Sequence, residues 1–242
     1  MKIMAALLSK KGGRRRNEDH VAYEECNKCG CFLVADGLGG HQGGEVASKT
    51  ACEGVLEAFR QSPGTSADQL KGYLEHAGRQ MESLRTEAMM KDSAKTTLVV
   101  LLIDGSQAIW AHIGDSRLYR FKWGRVVFQT RDHSLPQRLV DIGEITPEQI
   151  RMHEDRNRLT SVFEGNDTSR FTVLDSPLPV ERGDAFLLCS DGFWDYVYEE
   201  EMESDLSSSD KPAAWLSKMQ KRLLKRVDQE HDNYSALGVM TR

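Results

Sequence analysis

Three aspartates stand beside apolar runs that are far apart in the chain. Asp36 follows Phe32-Leu33-Val34-Ala35 and opens a loop with glycines at 37, 39, 40, 43 and 44, interrupted by His41. Asp191 follows Ala185-Phe186-Leu187-Leu188-Cys189-Ser190 and is again followed by a glycine, Gly192. Asp232, with Asn233, precedes a last apolar run over residues 234–241. Runs of this length suit buried strands. A carboxylate at the edge of such a strand sits on a rigid support, and neighbouring glycines let backbone come close to whatever it holds. In an antiparallel arrangement the ends of some strands and the starts of others share one rim, so the three carboxylates can meet. Oxygen-only donors suit Mg²⁺ or Mn²⁺. Two such ions about 4 Å apart can activate a water and hold a phosphoryl oxygen. Each Asp-Gly also reads as an ordinary turn or a helix cap. The metal reading rests on the recurrence.

A hairpin adds to the same rim. Strands over residues 20–25 and 31–35, joined by a turn at 26–30, place Asp19 roughly opposite Asp36, with Glu18 beside it. Carboxylates crowded together are costly unless a cation neutralises them. A basic, glycine-containing run, Lys10 to Arg16, lies just upstream. At the other end of the hairpin, Cys26-x-x-Cys29-x-Cys31 has the spacing of zinc ligands, but a fourth ligand at suitable spacing is missing, and a plain turn is the expectation. Cys189 is expected simply to be buried in its strand.

The elements that must position these residues follow from periodicity. A strand is expected over 3–9. A helix over 45–60 carries Ala47, Ala51, Val55 and Phe59 on one face. Ser66 caps a second helix running to about residue 90. Strand patterns then cover 96–103, 108–113, 117–121, 125–130, 171–175 and 184–189, with Asp104-Gly105 as a hairpin turn. A helix starts near Phe193, another covers 211–228, and a strand closes the chain. Strands and helices are segregated rather than alternating, which predicts an α+β fold with largely antiparallel sheets. No fixed-period repeat or linker composition divides residues 1–242, so one domain is expected. The polar stretch at about 135–170 is expected to be a surface flap.

Composition narrows the function classes. The 242 residues carry a net charge of −5, which disfavours a nucleic-acid partner. Five cysteines without a disulfide-framework pattern suit a reducing compartment. The start of the chain has too short an apolar stretch for a signal peptide, no later run can span a bilayer, and a lipidation motif is absent. The expectation is a soluble cytoplasmic protein without membrane insertion.

The motifs Arg14-x-x-Asn17-Glu18-Asp19, Asp36-Gly37-x-Gly39-Gly40-His41, Thr96-Thr97-Leu98, Gly114-Asp115-Ser116-Arg117, Asp132-His133-Ser134, Ser190-Asp191-Gly192-Phe193-Trp194-Asp195 and Asp232-Asn233-Tyr234-Ser235 occur in this order across nearly the whole chain. Together they resemble the metal-dependent protein serine/threonine phosphatases of type 2C (PPM), in a compact bacterial form. The resemblance implies a β-sandwich of two antiparallel sheets flanked by helices, with metals at one end. It implies that Asp36 bridges two Mg²⁺ or Mn²⁺ ions and that Asp191 and Asp232 complete one ion's ligands. The Gly37 carbonyl binds the other, with Glu18 and Asp19 nearby. Asp115, with Asp191, matches a third and weaker ion site, which Asp195 supports. Arg14 matches the phosphate-binding arginine, so the catalytic set is Asp36, Asp191 and Arg14.

The implied reaction is hydrolysis of phosphoserine and phosphothreonine in proteins by a metal-activated water, opposing a bacterial Ser/Thr kinase. A monomer is expected. Some relatives place a proton-donating histidine directly after the first Asp-Gly; here Leu38 occupies that position, and metal-bound water is the donor then expected. His41 is read as structural. Two other classes remain open at this point: a phosphoprotein-binding scaffold on the same fold, and another metallohydrolase such as a phosphodiesterase.

Overall fold

The computed structural model describes residues 1–26, 29–39, 43–87 and 94–242. The readings of Gly40, of His41 and of the second helix's end near residue 90 lie outside the described residues. In chain order the elements are β1 (Ile3–Lys10), β2 (Asp19–Cys26), β3 (Cys29–Leu38), α1 (Gly43–Gln61), α2 (Ala67–Glu87), β4 (Lys95–Thr96), β5 (Leu98–Ile103), β6 (Gln107–Ile113), β7 (Arg117–Lys122) and β8 (Arg125–Gln129). They continue with α3 (Leu135–Asp141), β9 (Thr172–Val173), β10 (Leu178–Pro179), β11 (Ala185–Cys189), α4 (Asp191–Trp194), α5 (Glu199–Ser207), α6 (Pro212–Leu223) and β12 (Tyr234–Thr241).

The strands form two sheets, ordered β1-β12-β11-β7-β8 and β10-β6-β5-β3-β2, with β4 on β3 and β9 on β6. The pairings are antiparallel, including the sequence-distant β1–β12 pair, which matches Ile3 to Thr241 through Lys10 to Tyr234. This is the expected α+β sandwich. Its layers follow from the two-residue pleat, which sends alternate side chains to opposite faces. In β3, Phe32 and Val34 enter the layer between the sheets, together with Leu101 of β5, Leu188 of β11 and Leu237 of β12. Cys31, Leu33 and Ala35 face the other way, against Ala51, Val55 and Phe59 of α1 and Leu74 and Met81 of α2. On the far side of the five-stranded sheet, Leu187 and Ala236 pack on Trp215, Met219 and Leu223 of α6. Full burial of each such large apolar side chain contributes about 1.5–3 kcal/mol. The three layers thereby fix the strand ends at which the polar residues lie.

Several local features differ from the sequence reading. β3 does not stop at Ala35. It runs on to Leu38 because Gly37 and Leu38 pair with Thr96 and Lys95 of β4, so Asp36 lies inside a strand rather than past its end. The hairpin is also tighter at its other end, where Cys26 and Cys29 are register partners. Helix α4 begins at Asp191 itself. Helix α5 had no periodic apolar signal; its acidic residues are held by ion pairs instead, Glu201 and Asp205 to Arg222 and Glu201 to Arg226. Helix α6 ends at Leu223 rather than near 228. Ser66 caps α2 as expected: its Oγ accepts from the Gln69 amide at 3.1 Å, while Gln69 Oε1 accepts from the Ser66 amide.

Candidate active site and metal centre

One rim of the sandwich opens into a cavity of about 440 Å³ lined by Arg14, Arg15, Arg16, Glu18, Asp36, Gly37, Leu38, Gly39, Asp115, Asn157, Leu159, Asp191, Asp232 and Asn233. Three different pieces of fold bring the key carboxylates here. Asp36 comes from β3, Asp191 from the end of β11, and Asp232 from the residues just before β12. The rim shared by antiparallel strand ends is therefore observed.

The backbone around Asp36 is clamped so that only its side chain is free to act. Its amide donates to Thr97 Oγ1 at 2.9 Å, and its carbonyl accepts from the Thr97 amide and the Thr96 hydroxyl, each at 2.8 Å. Gly37 is pinned between β2 and α1. Its amide donates to the Glu18 carbonyl at 3.1 Å, and a Cβ there would lie 2.1 Å from the Gly44 carbonyl oxygen. Gly192 is equally constrained: a Cβ would sit 2.0 Å from the Asn233 carbonyl oxygen. This close approach brings the start of α4 against the start of β12, and Asp191 Oδ1 accepts from the Gly192 amide at 2.6 Å.

Asn233 ties the basic run to the carboxylates. Its Oδ1 accepts from the Glu18 amide, its Nδ2 donates to the Lys11 and Arg16 carbonyls, and its own amide donates to Asp232 Oδ1, all at 2.8 Å. Arg14 donates to Asp232 Oδ2 at 2.8 Å, with both side chains substantially exposed. Asp19, 7 % exposed, lies behind the cavity wall and accepts from Ser190 Oγ at 2.8 Å. The Ser190 hydroxyl in turn accepts from the Ser235 amide.

Burial and mutual repulsion push these carboxyls up. Asp36 is raised by burial first and then by the charges of Asp19, Asp191 and Asp115. Asp191 is raised by burial and then Asp232, and Asp115 by burial and then Asp191. Glu18 is raised by burial and by Asp232. Burial pushes Asp19 up to about 7. Asp195 reaches about 7 through burial and Asp191, although Arg156 lies 3.5 Å away. Arg14 beside Asp232 and Arg156 beside Asp195 leave Asp36, Asp191 and Asp115 raised all the same.

The donor set fits divalent oxygen-seeking ions. Buried Oδ1 atoms of Asp19 and Asp195 have no hydrogen-bond partner. The donors are carboxylates and a pinned peptide carbonyl, which is hard-cation chemistry. Among the described residues, no three Asp, Glu, His or Cys side chains enclose an ion by themselves.

Sequence reasoning missed the supports. The Asp115 carbonyl accepts from Trp194 Nε1 at 2.9 Å. The guanidinium of Arg117 stacks 3.4 Å from the Trp194 ring centre and makes a two-point bond to buried Asp132, at 2.8 and 2.7 Å. The motifs contained all of these residues, but spacing alone assigned them no role. Asn157 and Leu159 bring the 135–170 flap to the cavity, although neither residue was singled out in the sequence. Leu38 lines the cavity and cannot donate a proton.

Comparison with known proteins agrees with this geometry. Residues 11–233 match the family profile described as protein phosphatase 2C. The chain is 31% identical over 218 residues to protein phosphatase PhpP of Streptococcus pneumoniae, covering 86% of each chain. It is 33% identical over 204 residues to serine/threonine phosphatase stp of Listeria innocua, covering 81% of this chain and 79% of that one. Among solved structures it superposes on the Mycobacterium tuberculosis serine/threonine phosphatase PstP/Ppp with a TM-score of 0.86 at 28% identity, covering 99% of both chains. The catalytic domain of PstP in complex with two manganese ions gives a TM-score of 0.82 at 28% identity, covering 98% of this chain and 97% of that one.

Proposed function

This chain belongs to the protein phosphatase 2C family and is a metal-dependent serine/threonine phosphatase, and we propose that it removes phosphate from phosphoserine and phosphothreonine in proteins at the cavity built around Asp36. The observation that carries this reading is the meeting of Asp36, Asp191, Asp232 and Arg14 in one cavity, from four separate places in the chain.

In this reading Asp36 would be shared by two Mn²⁺ or Mg²⁺ ions. Asp191 and Asp232 would help hold one of them, and the Gly37 carbonyl the other, with Glu18 and Asp19 nearby. Asp115 and Asp195 would serve a third, weaker site. When bound, the ions supply a water of lowered pKa and Lewis-acid stabilisation of the phosphoryl oxygens.

The chain's own residues do the rest. Arg14 leaves Asp232 to donate to the nonbridging oxygens of the substrate, a charge-assisted bond that strengthens as charge gathers there. Thr96 and Thr97 hold Asp36 by its backbone and the Asn233 amide holds the Asp232 carboxylate, so the acidic groups keep their positions as substrate enters. Asn157 and Leu159 line the cavity from the 135–170 segment, and this flap is the natural place for substrate preference to reside.

The substrates on this reading are phosphoproteins made by a Ser/Thr kinase of the same cell. One domain spanning the chain, acting as a monomer in the cytoplasm, completes the reading; the five free cysteines support a reducing compartment. No helix among the described residues is long and apolar enough to cross a membrane. The deciding experiment is phosphate release from a phosphothreonine peptide with Mn²⁺. The expected result is turnover that a chelator abolishes. Absence of release at any Mn²⁺ or Mg²⁺ concentration overturns the reading.

A further inference from the structure

The three cysteines near the β2–β3 turn take no part in the site described above. Cys26 ends β2 and Cys29 begins β3, and the two are directly opposed in the ladder. Opposed residues in an antiparallel pair have Cα atoms about 4.5–5.5 Å apart and point their side chains to the same face. That spacing lies within the range of about 4.4–6.8 Å found across disulfides. Both thiols pack on the same apolar layer, beneath α1 and α2. Both are free and partly exposed, whereas Cys31, Cys52 and Cys189 are free and buried. An oxidant in solution therefore meets Cys26 and Cys29 first.

A metal is the competing occupant, and the neighbourhood argues against it. Two thiols need further ligands to make a tetrahedral site. Among the described residues no three candidate ligands gather here. Asp104, the carboxylate whose charge acts on Cys29, has both oxygens engaged. Its Oδ2 accepts from Thr65 Oγ1, and its Oδ1 accepts from the amides of Ser106 and Gln107.

We propose that Cys26 and Cys29 are a reversible dithiol–disulfide pair, oxidised by peroxide, that closes the loop end of the hairpin whose other end carries Asp19 and Asp36. The thiolate sulfur of Cys26 attacks one peroxide oxygen. The O–O bond breaks, the sulfur is oxidised to a sulfenic acid, and water leaves after taking up a proton. The Cys29 sulfur then displaces the sulfenic oxygen as a second water, and the S–S bond forms. In sum two thiols and one hydrogen peroxide give one disulfide and two waters, and an added dithiol returns the two electrons. Burial, and then the charge of Asp104, pushes the Cys29 thiol up, which lowers its thiolate fraction and disfavours it for the first attack on peroxide.

The chain supplies its own assay. Lys28 lies between the two cysteines, so trypsin separates residues 17–28 from residues 29–49. After treatment of the whole folded protein with hydrogen peroxide, blocking of free thiols and digestion, these two peptides are expected to travel as one linked species. Dithiothreitol should release them. The link should persist in Cys31→Ser and vanish in Cys29→Ser. Full alkylation of both Cys26 and Cys29 after oxidation overturns the proposal, as does a link that survives Cys29→Ser. So does one zinc per chain in the purified protein that is lost in Cys26→Ser. None of these readouts depends on phosphatase activity.

Discussion

Asp19 and Asp36 are register partners across β2 and β3, one bonded to Ser190 behind the cavity wall and the other lining the cavity. The hairpin thus holds two carboxyls side by side at one end while its flanking apolar residues anchor both sheet layers. Replacing Asp36 by Asn keeps the shape and removes one of the mutually repelling charges. Turnover of a phosphothreonine peptide should fall by about 10³-fold or more. The unfolding midpoint in chelator should be unchanged or higher. A variant with full turnover removes Asp36 from the metal-bridging role, and one that loses its fold assigns it a structural role instead.

Arg14 and Asp232 make a different kind of pair. Both are exposed, so the bond adds only about 0–1 kcal/mol to stability. On the proposed reading the same guanidinium contributes far more against a phosphoryl group. Arg14→Ala should reduce kcat/KM by about 10²-fold with a urea midpoint close to that of the unmodified protein. A large loss of stability with little change in kinetics would reverse that assignment.

The Arg117–Asp132 pair has the opposite profile. Its side chains are only 3 % and 2 % exposed, and Arg117 also stacks on the Trp194 ring that holds the Asp115 carbonyl. Removing one partner leaves the other charged and buried. Arg117→Met alone should cost about 3–5 kcal/mol, and the double change Arg117→Met/Asp132→Leu should recover most of that loss. Denaturant curves on the single and double variants decide it. Equal losses in both would mean that Arg117 matters through the tryptophan stack rather than through Asp132.

Much of this site was legible in the sequence because its carboxylates border long apolar runs. The runs fixed the strands, and antiparallel pairing fixed the rim, so Asp19 opposite Asp36 followed from counting residues around a turn. The length of β3 did not follow. Its last residues are held by β4, a two-residue strand brought in from beyond two helices, and such a partner leaves no local pattern. Helix α5 was hidden for a related reason: it packs only Met202 and Leu206 on the core, too few for an apolar stripe, and its Glu201 and Asp205 pair with Arg222 and Arg226 from later in the chain. The supports Trp194, Arg117 and Asn233 act through backbone carbonyls and buried hydrogen bonds, which residue type alone does not disclose. Recognition of the family's motifs assigned the metal and phosphate roles that spacing by itself left open.

His133 contributes to the acid side of stability. Its ring stacks on His112 at 4.8 Å, and burial, then the charge of His112, lowers it from 6.5 to about 4. The folded chain therefore keeps this ring neutral. Its contribution is fully present above pH 6.5 and is lost as pH falls from there toward 4. His133→Gln should flatten the fall of the urea midpoint in that window. An unchanged pH profile would place the acid sensitivity elsewhere.

The carboxyl cluster has the reverse sign, and metal separates the two effects. Asp19 is raised from 3.8 to about 7, with Asp36 and Asp191 raised beside it. Without an ion, the folded state prefers these groups protonated. The favourable contribution of Asp19 is present below about pH 4 and is lost as pH rises to about 7, and Asp36 and Asp191 act in the same direction. A divalent ion competes with those protons for the same oxygens, so its binding strengthens as pH rises. The stabilisation gained on adding Mn²⁺ to chelated protein should therefore grow between pH 5 and 7.5. The His133 contribution is common to both samples and cancels in the difference. Thermal unfolding with and without Mn²⁺ across that range measures it, and Asp19→Asn should shrink the pH dependence. A Mn²⁺ increment that stays constant with pH would mean that the ion does not displace protons from this cluster.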